Sequence, residues 1–163
     1  MLFMNKAYLL TGGNIGDREA SLQQARDLLA KHCGEITAAS GLYETAAWGN
    51  TEQAAFLNQA LELTTALNAK QLIRRILKIE KMMGRERKEK YGPRTIDIDI
   101  LLFNDEVHNL SFLKIPHPEM QNRRFALLPL AEIAADLTHP VLKKTIKKLL
   151  ADSPDALAVK KWD

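Results

Sequence analysis

The chain has 163 residues, 46% hydrophobic and 26% charged, a length that suits one domain burying roughly 70% of its unfolded surface without staples. Its lone cysteine, Cys33, excludes an internal disulfide, and no run approaches the ~18 consecutive apolar residues of a membrane span. The net charge of +3 suits an anionic small ligand at least as well as a nucleic-acid backbone.

Met1 to Lys6 hold too few apolar residues for a signal peptide, so the cytoplasm is the expected compartment and residues 1–163 the expected single domain. Lys6 to Thr11 then read as a short strand ending in the glycine-punctuated turn Gly12-Gly13-Asn14-Ile15-Gly16. That turn lacks the Gly-Lys-Ser/Thr ending of a phosphate loop and the glycine spacing of a dinucleotide fold, which leaves a turn before a helix. Asp17 can cap a helix over 17–33, where Leu22, Ala25, Leu28, Leu29 and Cys33 recur at helical spacing and Gly34 supplies the stop. Cys33 then reads as a core residue.

A second strand is expected from Glu35 to Thr45, with Ile36 and Ala38 on one side. After a polar loop from Glu44 to Ala55, the segment Phe56 to Thr65 alternates cleanly. Leu57, Leu61 and Leu63 share one face, and Phe56, Asn58 and Ala60 share the other. Asn68 with Gln71 forms a capping-box pair, and Leu72, Ile73, Ile76, Leu77 and Met83 stripe a helix that Gly84 ends.

The stretch with most chemical content follows, Gly92-Pro93-Arg94-Thr95-Ile96-Asp97-Ile98-Asp99-Ile100-Leu101-Leu102-Phe103. In a strand, Asp97 and Asp99 point the same way with Cα atoms roughly 6.6 Å apart, while Ile96, Ile98 and Ile100 point the other way. Leu101 and Phe103 should continue the aspartate side and Leu102 the isoleucine side, the mark of a strand covered on both faces. Two close carboxylates repel and need cations or protons in compensation. Magnesium suits them, because it takes one or two carboxylates and completes its shell with water and substrate phosphates. The plainer reading pairs each aspartate with a neighbouring Arg or Lys.

The loop Gly84-Arg85-Glu86-Arg87-Lys88-Glu89-Lys90-Tyr91-Gly92-Pro93 leads directly into this strand. Lys88 and Lys90 read equally as a solvated face. Arg85, Arg87 and Arg94 offer planar forks to phosphate oxygens, which beside a carboxylate pair points to a polyphosphate with bound magnesium. The order β-α-β-β-α-β over 6–103 is that of a ferredoxin-like split unit with both helices on one face. The remaining chain, with apolar patches at Phe125 to Ile133 and at Val141, Ile146, Leu149 and Leu150, should cover the other face with two or three helices. An α+β, three-layer αβα sandwich is expected.

The aspartate stretch closely resembles the signature of the hydroxymethyldihydropterin pyrophosphokinase family. So do Gly12 to Gly16, Ser40-Gly41-Leu42-Tyr43-Glu44-Thr45 with Trp48-Gly49, Phe56-Leu57-Asn58, Gly84-Arg85, Pro116-His117-Pro118, Asn122-Arg123 with Phe125, and Pro129-Leu130-Ala131-Glu132-Ile133. The resemblance implies an ATP-dependent enzyme that moves a diphosphate to a pterin alcohol and releases AMP, working as a monomer without nucleic acid or membrane. It implies two magnesium ions on Asp97 and Asp99, and catalytic help from Arg85 and Arg94. It also implies that Glu80, Arg85, Arg87, Lys88, Tyr91, Arg94, Ile100, His117 and Arg123 meet ATP, and that Thr45, Ala46, Trp48, Phe56, Asn58 and Phe125 meet the pterin. Gly13, Ala47, Phe56 and Tyr91 depart from the family's usual serine, proline, tyrosine and tryptophan.

Read without the resemblance, Phe56 and Phe125 are better taken as plain core residues, His117 as a turn residue and Arg123 as a surface charge. Asn58 is harder to place structurally, since an unpartnered buried amide costs ~1 to 3 kcal/mol. Two other functions share parts of the pattern. Nucleotidyl- and glycosyltransferases also use Asp-x-Asp metal sites, and ferredoxin-like sheets also serve as RNA-binding modules. The aromatic motif of the latter is absent from this sequence.

Overall fold

In the computed structural model, which describes residues 3–46, 54–84 and 96–162, the expected element order is present with one break. Strand β1 spans Asn5–Gly13, helix α1 Arg18–His32, β2 Glu35–Ala39, β3 Tyr43–Thr45, β4 Phe56–Thr65, α2 Ala69–Met82 and β5 Asp97–Phe103. The single strand expected over 35–45 is thus two, both paired with β4. The register slips between Ile36 and Ala38, and Ser40 then interrupts the ladder: its hydroxyl accepts the Ala60 N–H at 2.9 Å and its carbonyl accepts from Gln59 Nε2 at 2.7 Å.

β1 is central, antiparallel to β4 on one side and to β5 on the other. That placement gives the order β5-β1-β4-β3, which is what a split β-α-β unit requires. The strand ends at Gly13 and not before Gly12, so of the glycines read as a turn only Gly16, with φ 66°, takes a left-handed conformation. Both helix starts are as the sequence dictates. Asp17 accepts from the Ala20 N–H at 3.1 Å, and Asn68 and Gln71 close a reciprocal capping box with two 2.8 Å bonds.

Two apolar cores lie on opposite faces of the sheet. Leu22, Ala25 and Leu29 of α1 and Leu72, Ile76 and Ile79 of α2 pack against Leu9, Leu57, Leu61, Leu63, Ile98 and Ile100. Helix α3, Arg124–Ala134, and helix α4, Ile146–Asp152, cover Tyr8, Leu10, Ala60, Leu101 and Leu102. Each fully buried Leu or Ile contributes about 1.5–3 kcal/mol, so both layers are held mainly by burial. The three-layer expectation stands, with a 3-10 turn at Met120–Asn122 before α3.

Several side chains depart from the expected pattern. Leu77 is 49% exposed because α2 turns Ile79 and the carboxylate of Glu80 inward instead, and Val141 is 54% exposed at a turn before α4. In β5 a register shift opposite Tyr8 and Leu9 sends Leu102 to the α3 side and Phe103 to the α1/α2 core, the reverse of strict alternation. Three short strands escaped the sequence reading. β6, His108–Leu110, and β7, Leu113–Ile115, form a hairpin, and β8, Val159–Lys161, extends the sheet beyond β3.

Candidate active site

Pairing across the sheet brings the expected residues into line. Asp97 lies opposite Gly12, Gly12 opposite Asn58, and Asn58 opposite Tyr43, while Asp99 lies opposite Leu10 and Leu10 opposite Ala60. Facing residues in an antiparallel ladder project to the same side. Leu10 and Ala60 belong to the α3-side core, so Asp97, Asp99 and Asn58 all project to that side. Both aspartates are half-buried at the upper end of the strand, above the bulge.

Gly12 makes room for Asn58. A Cβ at position 12 would stand 2.1 Å from Asn58 Nδ2, so the amide lies over bare backbone. Nδ2 donates to the Thr11 carbonyl at 3.2 Å, whereas Oδ1 is buried without a hydrogen-bond partner among the described residues. An orphaned acceptor of this kind costs ~1–3 kcal/mol unless something donates to it. Opposite each other at the open end of β3 and β4 stand Thr45, whose hydroxyl donates to the Ala158 carbonyl at 3.0 Å, and half-buried Phe56; Ala46 beside them is exposed.

Glu80 reaches the aspartate strand from α2. It is 3% exposed, and its Oε2 accepts from the Ile98 N–H at 2.8 Å, at the residue between the two aspartates. Ile100 packs in the α1/α2 core on the face opposite the aspartates, so its side chain does not line this site.

The chain after the hairpin brings a second group over β5. Following the cis Ile115–Pro116 bond, the His117 N–H donates to the Leu101 carbonyl at 2.9 Å, and its Nδ1 accepts from the Glu119 N–H at 3.1 Å. The neutral ring therefore carries its proton on Nε2. Burial, reinforced by the Arg123 guanidinium and opposed by Asp97 and Glu119, pushes the imidazole down to about 4, so His117 is a neutral N–H donor at neutral pH. Arg123 precedes α3, with its guanidinium 5.7 Å from the ring centroid of Phe125, which packs at the border of the α3-side core.

Arg85, Arg87, Lys88, Tyr91, Arg94 and Trp48 lie outside the described residues. Two features went unread in the sequence. Gly12 reads in sequence as a turn glycine, and its role needs the β1/β4 register, which one strand alone does not disclose. Glu132 of α3 accepts from Tyr43 Oη and from the Gly41 N–H, both at 2.6 Å, and pairs with Lys161 at 3.1 Å, fastening α3 to β3 and β8 beside the site.

Among the described residues no three His, Cys, Asp or Glu side chains gather as a metal cage. Two carboxylates on one face are instead a hard, incomplete donor set. Such a set fits magnesium, whose shell substrate phosphates and water complete, and does not fit a soft metal.

A ferredoxin-like sheet that offers two hard oxygen donors, a neutral imidazole donor and an arginine on one face has the donor set of a protein that handles a metal-bound polyphosphate. Comparison with known proteins narrows this. A family model described as 7,8-dihydro-6-hydroxymethylpterin-pyrophosphokinase (HPPK) matches residues 8–135. A relative from Aquifex aeolicus named 2-amino-4-hydroxy-6-hydroxymethyldihydropteridine pyrophosphokinase is 42% identical over 89% of this chain and 90% of its own. A Bacillus subtilis protein of the same name is 48% identical over 79% of this chain and 78% of its own. A crystal structure of Plasmodium falciparum HPPK-DHPS has the same fold, with a TM-score of 0.75 at 22% identity over 91% of this chain. This chain spans 42% of that longer one. The chain belongs to the hydroxymethyldihydropterin pyrophosphokinase family, and it is an ATP-dependent pyrophosphokinase.

Proposed function

We propose that the α3-side face of the sheet, from Asp97 and Asp99 on β5 to Asn58 and Phe56 on β4, is where ATP and the pterin alcohol meet. The reaction is the transfer of diphosphate from ATP to the hydroxymethyl group of 6-hydroxymethyl-7,8-dihydropterin, with release of AMP, a step of folate biosynthesis. The alcohol oxygen attacks the β-phosphorus, and the bond to the α-phosphate oxygen breaks as AMP leaves.

Asp97 and Asp99 would hold the magnesium, two ions in our reading; the metal when bound offsets the negative charge of the phosphoryl oxygens that the reaction gathers. The His117 Nε2–H and the Arg123 guanidinium bind phosphate oxygens, joined by Arg85, Arg87, Lys88 and Arg94, with Tyr91 flanking the nucleotide. Glu80 acts on the nucleotide side through the edge of β5. Ile100 can contribute there only by its main chain, since strand periodicity turns its N–H to the same outer edge as that of Ile98. Phe56 and Phe125 stack on the pterin ring, and Asn58, Thr45, Ala46 and Trp48 line its polar rim, where the unmet Oδ1 of Asn58 can accept a ring N–H. A carboxylate of the Asp97/Asp99 pair, acting with the metal it would hold, lowers the alcohol's pKa or takes its proton.

We read residues 1–163 as one domain that acts as a monomer. No helix among the described residues is long and apolar enough to cross a membrane. We take the cytoplasm, where ATP is abundant, as the compartment.

The observation that carries the reading is the alignment of Asp97, Gly12 and Asn58 on one face. Incubation with ATP, magnesium and the reduced pterin alcohol should yield AMP and a pterin diphosphate. Asp97→Ala or Asp99→Ala should lower kcat about 10²–10³-fold, the scale of losing a transition-state electrostatic partner, with little change in pterin affinity. Wild-type turnover in either variant would overturn the assignment.

A further inference from the structure

Arg18, the first residue of α1, ties together the open ends of two strands. Its Nη1 donates to Glu44 Oε2 at 2.7 Å and to the Ala55 carbonyl at 2.9 Å. Glu44 lies in β3 and Ala55 immediately precedes β4, so one guanidinium spans both strands at the level where Thr45 faces Phe56. Beside it Asn14, itself buried, donates Nδ2 to the Ala54 carbonyl at 3.0 Å.

The guanidinium is in turn held from behind. Its carbon lies 4.9 Å from the ring centroid of Trp162, whose main-chain N–H donates to the Leu42 carbonyl at 2.8 Å and whose indole N–H donates to Glu19. Trp162 directly follows β8, and that same terminal segment receives the Thr45 hydroxyl on Ala158. A solvent-exposed Arg–Glu pair contributes little, but here the Arg18 side chain is only 20% exposed, stacks on an aromatic ring and has a backbone carbonyl as its second partner.

We propose that Arg18, backed by Trp162, is a positioning residue for the pterin: it fixes the spacing between the ends of β3 and β4, and so between Thr45 and Phe56, without touching either substrate. This rests on the reading of Thr45 and Phe56 as pterin-binding residues. Among the described residues the Arg18 guanidinium meets Glu44, Ala55 and Trp162, all on the β3/β4 side, so its loss should be felt mainly by the pterin.

Steady-state kinetics for each substrate, with thermal unfolding, should be run on Arg18→Gln, Arg18→Lys, Trp162→Leu and the double variant Arg18→Gln with Trp162→Leu. Arg18→Gln should raise the pterin KM roughly tenfold, the loss of about one charge-assisted hydrogen bond, with kcat and the ATP KM changed less than about twofold. Trp162→Leu should raise the pterin KM in the same sense, Arg18→Lys should recover part of the loss, and the double variant should be no worse than Arg18→Gln alone. An unchanged pterin KM, or equal losses toward both substrates, overturns the positioning role. Trp162→Leu serves as the deciding variant if Arg18→Gln does not fold. If wild-type protein makes no AMP from ATP and the pterin alcohol, the functional reading itself fails; if it does and the Arg18 variants match it, only the positioning role fails.

Discussion

Gly12 contributes to the site through the side chain it lacks. In Gly12→Ala the new Cβ would meet Asn58 Nδ2 at 2.1 Å and the Leu57 carbonyl at 3.5 Å, so the amide must swing away while the strand stays. We expect a folded protein, destabilised by about 1–2 kcal/mol, that has lost roughly tenfold or more in pterin affinity by fluorescence titration. Glu80 works in the opposite sense, through an atom pair. Glu80→Ala leaves the buried Ile98 N–H without its acceptor and should cost about 1–3 kcal/mol in urea unfolding, whereas Glu80→Gln keeps an acceptor oxygen and should cost less. The alternation of Asp97 and Asp99 was legible because strand periodicity is local. The roles of Gly12 and Glu80 were not, because each depends on a partner 46 or 18 positions away whose approach only the folded sheet defines.

Elements long enough to carry a period were readable, and short ones were not. Helices α1 and α2 and strand β4 announce themselves through caps and stripes, but β6, β7 and β8 have three residues each, too few for any alternation to register. The break between β2 and β3 and the bulge in β5 both arise from partners on neighbouring strands, which is why a continuous apolar run gave no warning of them. The junction of α1 and β2 is the tightest of the turns. At Gly34 a Cβ would stand 2.3 Å from the Thr64 carbonyl and 3.1 Å from Thr65 Cα, both main-chain atoms that cannot swing aside. Gly34→Ala should therefore cost about 2–4 kcal/mol in denaturant unfolding while the protein that remains folded keeps its kcat.

For the whole molecule, two imidazoles, buried His139 and half-buried His117, make acid the weak side. His139 accepts the N–H groups of Val141 and Leu142 on Nδ1, at 3.2 and 3.0 Å, and burial holds its proton affinity below the ordinary imidazole range. His117 is pushed down to about 4. Both therefore bind protons more weakly folded than unfolded, where imidazole titrates near 6.5. Stability from these groups is complete above about pH 6.5 and is lost as pH falls below it, for His117 down to about 4, with a slope of up to ~1.4 kcal/mol per pH unit for each group. Urea midpoints at pH 7.5, 6 and 5 should fall in that order, and imidazole NMR should find His117 still neutral at pH 5.5.

The sheet also acts as a gauge. Asp97 and Asn58 are separated by a single intervening strand, so their main chains sit about 9.6 Å apart, twice the hydrogen-bonded repeat. That length is set by covalent and hydrogen-bond geometry and has little freedom to stretch. On the proposed assignment of the pterin to Asn58 and the phosphates to Asp97, an alcohol whose arm is longer by one carbon should seat its ring yet carry its oxygen past the phosphorus, and should turn over more slowly than the natural substrate.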